Sequence, residues 1–368
     1  MKRLIFDTEL NGHHLEYIHH LYLGAIQDEK NEYIFAIPDN FQEYHGHFVW
    51  PHSTNISFYF LSAKEIEKCH SNMLLRLFRE SKLANKIINI FHIDEIILID
   101  LLTFLPILPI ISNKKTIISG IIYNIYLHRN HKPVRRLFEE FRYRPISKRR
   151  GRIYILNDEK SVKTLNNKYN TINFTFLPDP IPETAFQHNT NLARDIETTE
   201  GKTFLHFGYM SRRKGTLDIL KAISLLPEKF KATFIFAGII DNNISNEFYQ
   251  LIEKVRNREI KIFVKDKYCE YDYINDLCHI SDCILIPYYN TAQSSGVLGY
   301  AAAHQIPVIG PKEGLLGYII ESNKLGHTIE NITPNILAKA ILHFEKYHTN
   351  SDYIKTHSIN NFINIILA

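Results

Sequence analysis

Residues 203–223 read TFLHFGYMSRRKGTLDILKAI, in which an apolar run, a basic loop and an amphipathic run follow one another. TFLHFG predicts a strand, whereas LDILKAI repeats its apolar residues at helical spacing. The loop between them holds Gly208 and the cations Arg212, Arg213 and Lys214. A helix that starts behind such a loop is suited to a phosphate, because its first N–H groups lack partners and its dipole favours negative charge. On this local pattern alone, an ordinary basic loop is the simpler interpretation.

The same alternation of β-rich and helical runs continues on both sides of this stretch and predicts α/β architecture with parallel strands. Downstream, strands are expected at 232–238, 261–266, 282–288 and 307–310, followed by helices to the C-terminus. Upstream, strands are expected at 3–7, 33–37, 56–61, 95–100, 115–120, 152–157 and 172–178. A Pro-rich segment at 177–183 and a polar stretch at 187–202 separate the two halves.

These halves predict two Rossmann-like domains that face a central cleft, where ligands bind at the carboxyl ends of the strands. The first domain is expected over residues 1–184 and the second over residues 185–348. Residues 349–368 are expected to form a C-terminal helix that packs back on the first domain.

Length and composition exclude several classes of protein. A chain of 368 residues is long enough for two domains, and a hydrophobic share of 45% excludes disordered and collagen-like chains. Four cysteines are too few for a disulfide scaffold, and their lack of C-x-x-C spacing argues against a zinc ribbon. The apolar stretch 96–111 contains Asp100, Pro106 and Pro109, so a buried strand and a short helix are expected there instead of a membrane span. Reduced thiols and the lack of a secretory pattern in MKRLIFDTEL favour the cytoplasm.

Positive charge is concentrated in one segment. Residues 128–152 hold ten Lys or Arg and two Glu, a difference of +8, whereas the whole chain carries +4. Such a segment could face anionic lipid, a polyanionic substrate or nucleic acid, or it could be a solvated loop and helix. No nucleic-acid reader fold accompanies it, so nucleic acid is not expected as a partner. The inner face of a membrane, reached through residues 129–152, is the expected anionic partner.

A second helix N-terminus suited to binding an anion is predicted after the strand at 282–288. Residues 286–310 read IPYYNTAQSSGVLGYAAAHQIPVIG, and Ser294, Ser295 and Gly296 would open a helix. Their backbone N–H groups would be available to an anion. A serine helix cap beside a glycine is the alternative. Two such starts in one half of the chain favour a diphosphate ligand.

In combination, FGYMSRRKG, FIFAG, DCILIPY, SSGVL, PVIG and EGLLGYIIESNKLG resemble the C-terminal half of family 4 (group 1) glycosyltransferases of the GT-B fold. The resemblance covers about residues 203–345, and the N-terminal half resembles the family only through a strand, the loop NGHH and a helix. It implies transfer of a hexosyl group from a nucleotide-diphosphate sugar to a hydroxyl of a glycan or lipid-linked acceptor. It further implies surface polysaccharide or glycoconjugate synthesis, retention of anomeric configuration, and no need for a divalent metal or a cofactor besides the donor substrate.

The resemblance also implies roles for particular residues. Lys214 aligns with the family lysine that contacts the donor diphosphate. Gly208 aligns with the glycine that ends the preceding strand in the family. Tyr209 replaces the arginine that usually follows this glycine, and Arg212 or Arg213 could supply that charge instead. The loop before the first helix adds Gly12, which matches the glycine that approaches the donor phosphates. Beside it, His13 could contact the sugar or its phosphate, or act as a base.

The largest departure from the family is its E-x7-E element, whose carboxylates meet the sugar and the ribose. The sequence can be aligned with this element in two registers. One places Gln293 and Ala301 at the two glutamate positions, and the other places Ala292 and Tyr300 there. Gln293 can donate to or accept from a sugar hydroxyl but cannot carry charge. Ribose recognition would then fall to a nearby carboxylate, Glu313 or Glu321. The departure leaves two alternatives open, a non-catalytic glycan- or nucleotide-binding copy and a nucleotide-sugar epimerase on the same fold.

Overall fold

The computed structural model describes residues 1–43, 48–128, 133–182, 193, 196, 198, 200–255, 259–289, 291–349 and 352–368. The chain forms two compact units, one of Met1–Pro178 with Asn360–Ala368 and one of Asp179–Ile359, called unit 1 and unit 2 below. The sequence prediction placed the divisions after residues 184 and 348 instead. Most of the polar stretch expected to be a linker at 187–202 lies outside the described residues.

Unit 1 contains a seven-stranded parallel sheet in the order β3-β2-β1-β4-β5-β6-β7. Its strands are β1 Lys2–Phe6, β2 Glu32–Pro38, β3 Ile56–Leu61, β4 Glu95–Leu98, β5 Ile117–Ile122, β6 Ile153–Leu156 and β7 Phe174–Leu177. Its helices are α1 His14–Gln27, α2 Ala63–His70, α3 Met73–Phe91, α4 Ile107–Ile111, α5 Pro133–Ser147 and α6 Glu159–Tyr169. The order of strands reverses between β1 and β4, so the loops after these strands flank the switch point where ligands bind in such sheets.

Both faces of this sheet are covered, which is why its strands read as apolar runs. One buried cluster joins the sheet to α3, α5 and α6 through residues such as Ala84, Tyr143 and Leu165. On the other face, Phe362 packs against Tyr17 of α1, with ring centroids 4.8 Å apart. The covering of the second face therefore needs residues from the far end of the chain.

Unit 2 contains a six-stranded parallel sheet in the order β10-β9-β8-β11-β12-β13. Its strands are β8 Lys202–Phe207, β9 Ala232–Ala237, β10 Ile260–Lys265, β11 Cys283–Leu285, β12 Val308–Pro311 and β13 Gly326–Ile329. Its helices are α7 Thr216–Ile223, α8 Asn242–Lys254, α9 Tyr271–His279, α10 Val297–Ala303, α11 Gly314–Ser322, α12 Pro334–Leu342 and α13 Tyr353–Thr356. A last helix, α14 Ile359–Leu367, carries the chain back to unit 1. Here the strand order reverses between β8 and β11.

The predicted α/β architecture with two Rossmann-like sheets is confirmed, and each predicted strand has a counterpart. The stretch 96–111 is confirmed as a buried strand, a 3₁₀ turn and a short helix. The expectation that only helices follow residue 310 is wrong, because β13 pairs with β12. This four-residue strand, GHTI, buries only Ile329, so it lacks the apolar run that marks the others. None of the described helices combines the length and apolar character that crossing a bilayer requires.

Candidate functional site

The site is best developed at the carboxyl ends of β8 and β11, beside the switch point of unit 2. Gly208 directly follows β8 with φ +97°, in the left-handed region that favours glycine. A Cβ at Gly208 would lie 2.9 Å from Nζ of Lys214. A Cβ at Gly238, which follows β9, would lie 2.1 Å from the carbonyl oxygen of Gly208. The Lys214 ammonium therefore lies against a bare backbone that only glycine can provide.

A buried histidine fixes the start of α7 relative to β11. Nδ1 of His206 donates to the carbonyl oxygen of Leu285 at 2.8 Å, so Nε2 accepts from the hydroxyl of Thr216 at 2.9 Å. Burial lowers the pKa of His206 to about 4, which keeps the ring neutral. Gly215 precedes α7 with φ +67°, and a Cβ there would lie 2.2 Å from the carbonyl oxygen of Pro287. The loop that carries Lys214 is thus held between two strands.

Lys214 faces an aromatic ring instead of a carboxylate. Its Nζ lies 5.3 Å from the ring centroid of Tyr288, and the guanidinium carbon of Arg213 lies 5.9 Å from the same centroid. No ion pair to Lys214 occurs among the described residues. The Tyr288 hydroxyl is buried and has no hydrogen-bond partner in the part of the chain that the structure describes. The structure therefore places a cation that has no ion pair among the described residues over the face of a buried ring, and such a cation is suited to a phosphate oxygen.

Arg212, predicted to add positive charge beside Lys214, differs from Lys214 in forming an ion pair. Its side chain is 64% exposed and pairs with Glu247 of α8 at 2.8 Å, while Lys221 contacts the other oxygen of Glu247 at 2.9 Å. Arg212 and Arg213 border a surface pocket of about 520 Å³ together with Leu217, Asp218, Lys221 and Tyr289. The charge of Arg212 is therefore compensated within the protein.

The second predicted anion site lies on the loop before α10. Gly296 is the N-cap of this seven-residue helix, and no side chain caps it. Gln293, Ser294 and Ser295 are half-buried, whereas Gly296 is exposed. The carbonyl oxygen of Thr291 accepts from the backbone N–H of Leu315 at 2.8 Å, which ties this loop to the start of α11. The structure places these residues after β11, on the same strand end as Tyr288.

The second position of the missing carboxylate pair is filled by a core residue in either register. Ala301 and Tyr300, one for each register, are both buried in α10. Glu313 is exposed and immediately precedes α11, next to the loop that holds Thr291. Glu321 lies at the other end of α11, where it accepts from Thr328 at 2.7 Å. Of the two carboxylates considered for the ribose, Glu313 is the one adjacent to the predicted loop.

In unit 1, the predicted loop residues Gly12 and His13 lie between β1 and α1. Gly12 has φ +65°, and a Cβ there would meet no atom within 4 Å. The ring of His13 stacks on Tyr17 with centroids 5.8 Å apart, and its Nδ1 lies 3.3 Å from a carboxylate oxygen of Glu16. Gly12 thus combines a left-handed backbone with open space around it.

The neighbouring His14, which sequence analysis did not single out, makes a shorter contact with a carboxylate than His13 does. Nδ1 of His14 lies 2.6 Å from Oδ2 of Asp7, a buried carboxylate directly after β1, and the ring stacks on Tyr123. Burial alone would lower the pKa of His14, but the hydrogen bond and charge of Asp7, with Asp100 and Glu9 nearby, raise it above its ordinary value. A polar residue directly after an apolar strand, and a histidine opening the next helix, were the available signals.

A second polar cluster surrounds the fully buried Glu80. One of its oxygens accepts from the Thr8 hydroxyl at 2.6 Å and from Nε of Arg76 at 2.9 Å, and lies 3.1 Å from Nε2 of His70. Arg76 also pairs with Glu9 at 2.9 Å. Beside this cluster is a pocket of about 480 Å³ whose lining includes four carboxylates, those of Glu9, Asp39, Glu43 and Glu67. The carboxyl edge of this sheet therefore offers hydrogen-bond acceptors.

The remaining histidines do not form a metal site in the described part of the chain. His128 lies 2.6 Å from a carboxylate oxygen of Asp158, the N-cap of α6. His279 and His304 lie within 3.2 Å of each other through their Nδ1 atoms, on the surface of unit 2. Among the described residues, no group of three or more His, Cys, Asp or Glu side chains is arranged to hold a metal ion.

Solved structures with the same fold cover the whole chain. No protein-family model and no curated protein sequence matches it. A glycosyltransferase from Rickettsia africae superposes with a TM-score of 0.65 at 16% identity, covering 100% of this chain and 95% of its own. WaaG, a glycosyltransferase of lipopolysaccharide biosynthesis, gives 0.62 at 15% over 100% and 95%. Anabaena HepE in complex with UDP gives 0.68 at 12% over 100% and 98%. The chain therefore has the GT-B fold that its motifs predicted.

Proposed function

We propose that this GT-B chain is a glycosyltransferase that moves a hexosyl group from a nucleotide-diphosphate sugar to a hydroxyl group. The observation that carries the proposal is the Lys214 ammonium, unpaired among the described residues, held against the bare backbone of Gly208 at the switch point of unit 2. The fold of HepE, which was solved with UDP and with UDP-glucose, supports a nucleotide-diphosphate sugar as the donor. No further cofactor takes part in the proposed reaction.

In this reaction the bond between the anomeric carbon and the β-phosphate oxygen breaks, and its electron pair leaves with the nucleoside diphosphate. The acceptor oxygen forms the new bond to the anomeric carbon and gives up its proton, which the departing diphosphate takes up. Negative charge builds up on the leaving diphosphate, so a fixed cation at that position lowers the barrier. Lys214 is the residue proposed for this role, with Arg213 and, less directly, Arg212 adding positive charge.

The other predicted donor contacts remain part of the proposal. Backbone groups at Ser294, Ser295 and Gly296 would bind the diphosphate, and Gln293 would hydrogen-bond a sugar hydroxyl. Gly12 would let its loop approach the donor, and His13 would contact the sugar. These roles are supported by the resemblance to family 4 enzymes and by the positions of the residues after β1 and β11.

The acceptor is proposed to be a glycan or a lipid-linked molecule at the cytoplasmic face of a membrane, in surface polysaccharide or glycoconjugate synthesis. The acidic pocket beside Glu80 supports a hydroxyl-rich acceptor, because carboxylates accept hydrogen bonds from hydroxyl groups and repel anions. Retention of configuration and independence of divalent metal are supported by the family resemblance.

A thermal-shift panel of UDP, GDP, ADP and CMP, with their sugar conjugates, tests the donor site. At a hundred times its Kd, a ligand that binds only the folded state adds about 2.7 kcal/mol to the free energy of unfolding. We expect a shift with one nucleoside diphosphate and its loss in Lys214→Ala. The matched control is Lys231→Ala, a lysine that precedes β9 at the opposite edge of the sheet and pairs with Glu200. A panel without any shift, or an equal shift in Lys214→Ala, would contradict the donor site.

Product analysis separates the transferase from the two alternatives. With donor alone, an epimerase converts the sugar, whereas the proposed transferase leaves it unchanged apart from slow hydrolysis. With a panel of glycan and lipid-linked acceptors, the transferase forms a new glycoside, and a non-catalytic binding protein forms none.

A further inference from the structure

Helix α5 leaves an apolar stripe exposed to solvent. Four large apolar side chains are between 58% and 80% exposed: Val134, Leu137, Phe138 and Phe141. Their spacing of three, one and three residues places them on one face of the helix. The opposite face is already buried against the sheet through Tyr143 and Ile146. The exposed stripe is therefore a second apolar face that the core does not use.

Helix α4 contacts α5 and exposes two further apolar side chains. Ile110 and Ile111 are 61% and 38% exposed. Apolar patches of this extent are uncommon on soluble monomers and mark contacts with proteins, ligands or membranes. We call these six side chains, from Ile110, Ile111, Val134, Leu137, Phe138 and Phe141, the apolar platform.

Positive charge flanks the apolar platform. The acids of α5 are neutralised, since Glu139 pairs with Arg142 and Glu140 pairs with Arg136 and Lys168. The remaining basic side chains are exposed and form no ion pair with any described residue: Arg135, Arg144, Lys148 and Arg150. Lys114 and Lys115 follow α4 and are exposed as well. The platform thus lies within a surface of net positive charge.

A pocket of about 460 Å³ joins the two kinds of surface. It is lined by Leu137 and Phe141 of the platform, by Arg144 and Lys148 of the same helix, and by Lys168, Glu140, Ser147, Tyr169 and Asn170. Glu140 is already paired with Lys168, so Arg144 and Lys148 supply the uncompensated charge. A phosphate group beside a hydrocarbon chain matches this lining.

We propose that the apolar platform docks on an anionic lipid bilayer, with its side chains below the headgroups and the flanking cations against the lipid phosphates. A basic amphipathic helix of this kind lies in the membrane interface, held by buried apolar area and by attraction to anionic lipid. A nucleic acid or polyanionic glycan would use the cations but would leave the aliphatic and aromatic stripe in water. The proposal does not depend on the proposed transferase activity.

Vesicle co-sedimentation of the full chain tests the docking. We expect binding to vesicles of phosphatidylglycerol mixed with phosphatidylcholine, and little binding to phosphatidylcholine alone. A Leu137→Ser, Phe141→Ser double variant should bind at least about tenfold more weakly. The matched control is Phe60→Ser, which removes an equally exposed aromatic from β3, the sheet edge remote from α5 in strand order.

A charge variant provides an independent arm of the test. Arg144→Gln with Lys148→Gln should weaken binding about 25-fold, since each basic residue at an anionic surface contributes about 1 kcal/mol, or about fivefold. High salt should weaken the wild type in the same direction. Both positions are solvent-exposed, so this variant keeps its fold, which the midpoint of thermal unfolding checks.

Three outcomes would overturn the proposal. One is a wild type that does not bind anionic vesicles, and another is a serine double variant that binds as tightly as the wild type. The third is binding to nucleic acid or to a polyanionic glycan that is unaffected by the serine substitutions and exceeds binding to vesicles. The nucleotide-induced thermal shift should be the same in the wild type and both variants, so failure of docking is distinguishable from failure of the donor site.

Discussion

The carboxyl edges of the two sheets share a topology and differ in charge. In unit 2 the loop after β8 presents Lys214 against Gly208, with no carboxylate paired to it among the described residues. In unit 1 the loop after β1 presents Asp7 paired with His14, next to the cluster around Glu80. A parallel sheet with a switch point supplies the place for a ligand in both cases, and the side chains after the strands select its chemistry.

This difference fits a division of labour between the two halves of one reaction. A leaving diphosphate carries negative charge and needs a fixed cation, whereas an acceptor hydroxyl needs hydrogen-bond acceptors. The cationic edge in unit 2 is suited to the first, and the acidic edge in unit 1 to the second. Substitutions of the carboxylates that line the acidic pocket should therefore leave binding of the nucleoside diphosphate unaffected.

Among variants that keep Lys214 itself, Gly208→Ala should have the largest effect. The new Cβ would lie 2.9 Å from Nζ of Lys214, and φ +97° is unfavourable for alanine. We expect kcat/KM to fall by about tenfold, because the strained loop and the displaced Lys214 stabilise the leaving diphosphate less well, whereas outright removal of such a group costs about 100-fold or more. Steady-state assays of sugar transfer measure this.

Gly12→Ala is the matched control for the comparison of edges. It also places alanine at positive φ, but its Cβ would meet no atom within 4 Å. The backbone strain should lower the free energy of unfolding by about 1–2 kcal/mol, and binding of nucleoside diphosphate should weaken less than in Gly208→Ala, because the new Cβ displaces no cation. Equal losses of donor affinity in both variants would remove the distinction drawn between the two loops.

An intermediate effect is expected for His14→Gln. The substitution removes a buried hydrogen bond to a carboxylate and should lower the free energy of unfolding by about 2 kcal/mol near neutral pH. Because the folded-state pKa of His14 lies above its ordinary value, the stabilisation is fully present below about pH 6.5 and is lost as the pH rises through the folded pKa.

Urea unfolding of the wild type and His14→Gln from about pH 6 to pH 9 measures this difference. The gap between the two proteins should be largest at the acidic end and shrink toward pH 9. His128→Gln serves as the comparison, because His128 has a similar contact with Asp158 far from the β1 loop. A gap that widens with pH would contradict the charged His14–Asp7 pair.

The smallest effect is expected for Arg212→Gln. Its guanidinium is 64% exposed and already paired with Glu247, and exposed pairs of this kind contribute about 0–1 kcal/mol. We expect kcat/KM within about threefold of the wild type and little change in the unfolding midpoint. A loss as large as that of Lys214→Ala would move the main catalytic charge to Arg212.

The fold was largely predictable because parallel strands buried on both faces produce uninterrupted apolar runs. The strand that was not predicted from the sequence, β13, is defined by its pairing with β12. Such pairing leaves no local pattern in a segment of four residues. The exposed apolar face of α5 was not predicted from the sequence for a related reason. Helical periodicity shows which residues share a face, but whether the rest of the chain covers that face depends on tertiary packing.

The candidate site was predictable where glycine geometry and charge fall within one loop, as for Gly208 and Lys214. It was less predictable where partners come from distant segments. Glu80 is linked to the loop after β1 by its hydrogen bond with Thr8, which is 72 residues earlier in the chain. In the histidine pair at positions 13 and 14, sequence reasoning chose His13, because nothing local shows which ring turns toward Asp7.

The return of α14 to unit 1 has a consequence for how the protein is made. Unit 2 is an insertion between Pro178 and Asn360 in a unit whose sheet is otherwise complete. All of the sequence for unit 2 is therefore synthesised before Phe362, which covers Tyr17 in the core of unit 1. During translation the apolar face of α1 that Phe362 covers therefore stays exposed until residues 360–368 have been synthesised.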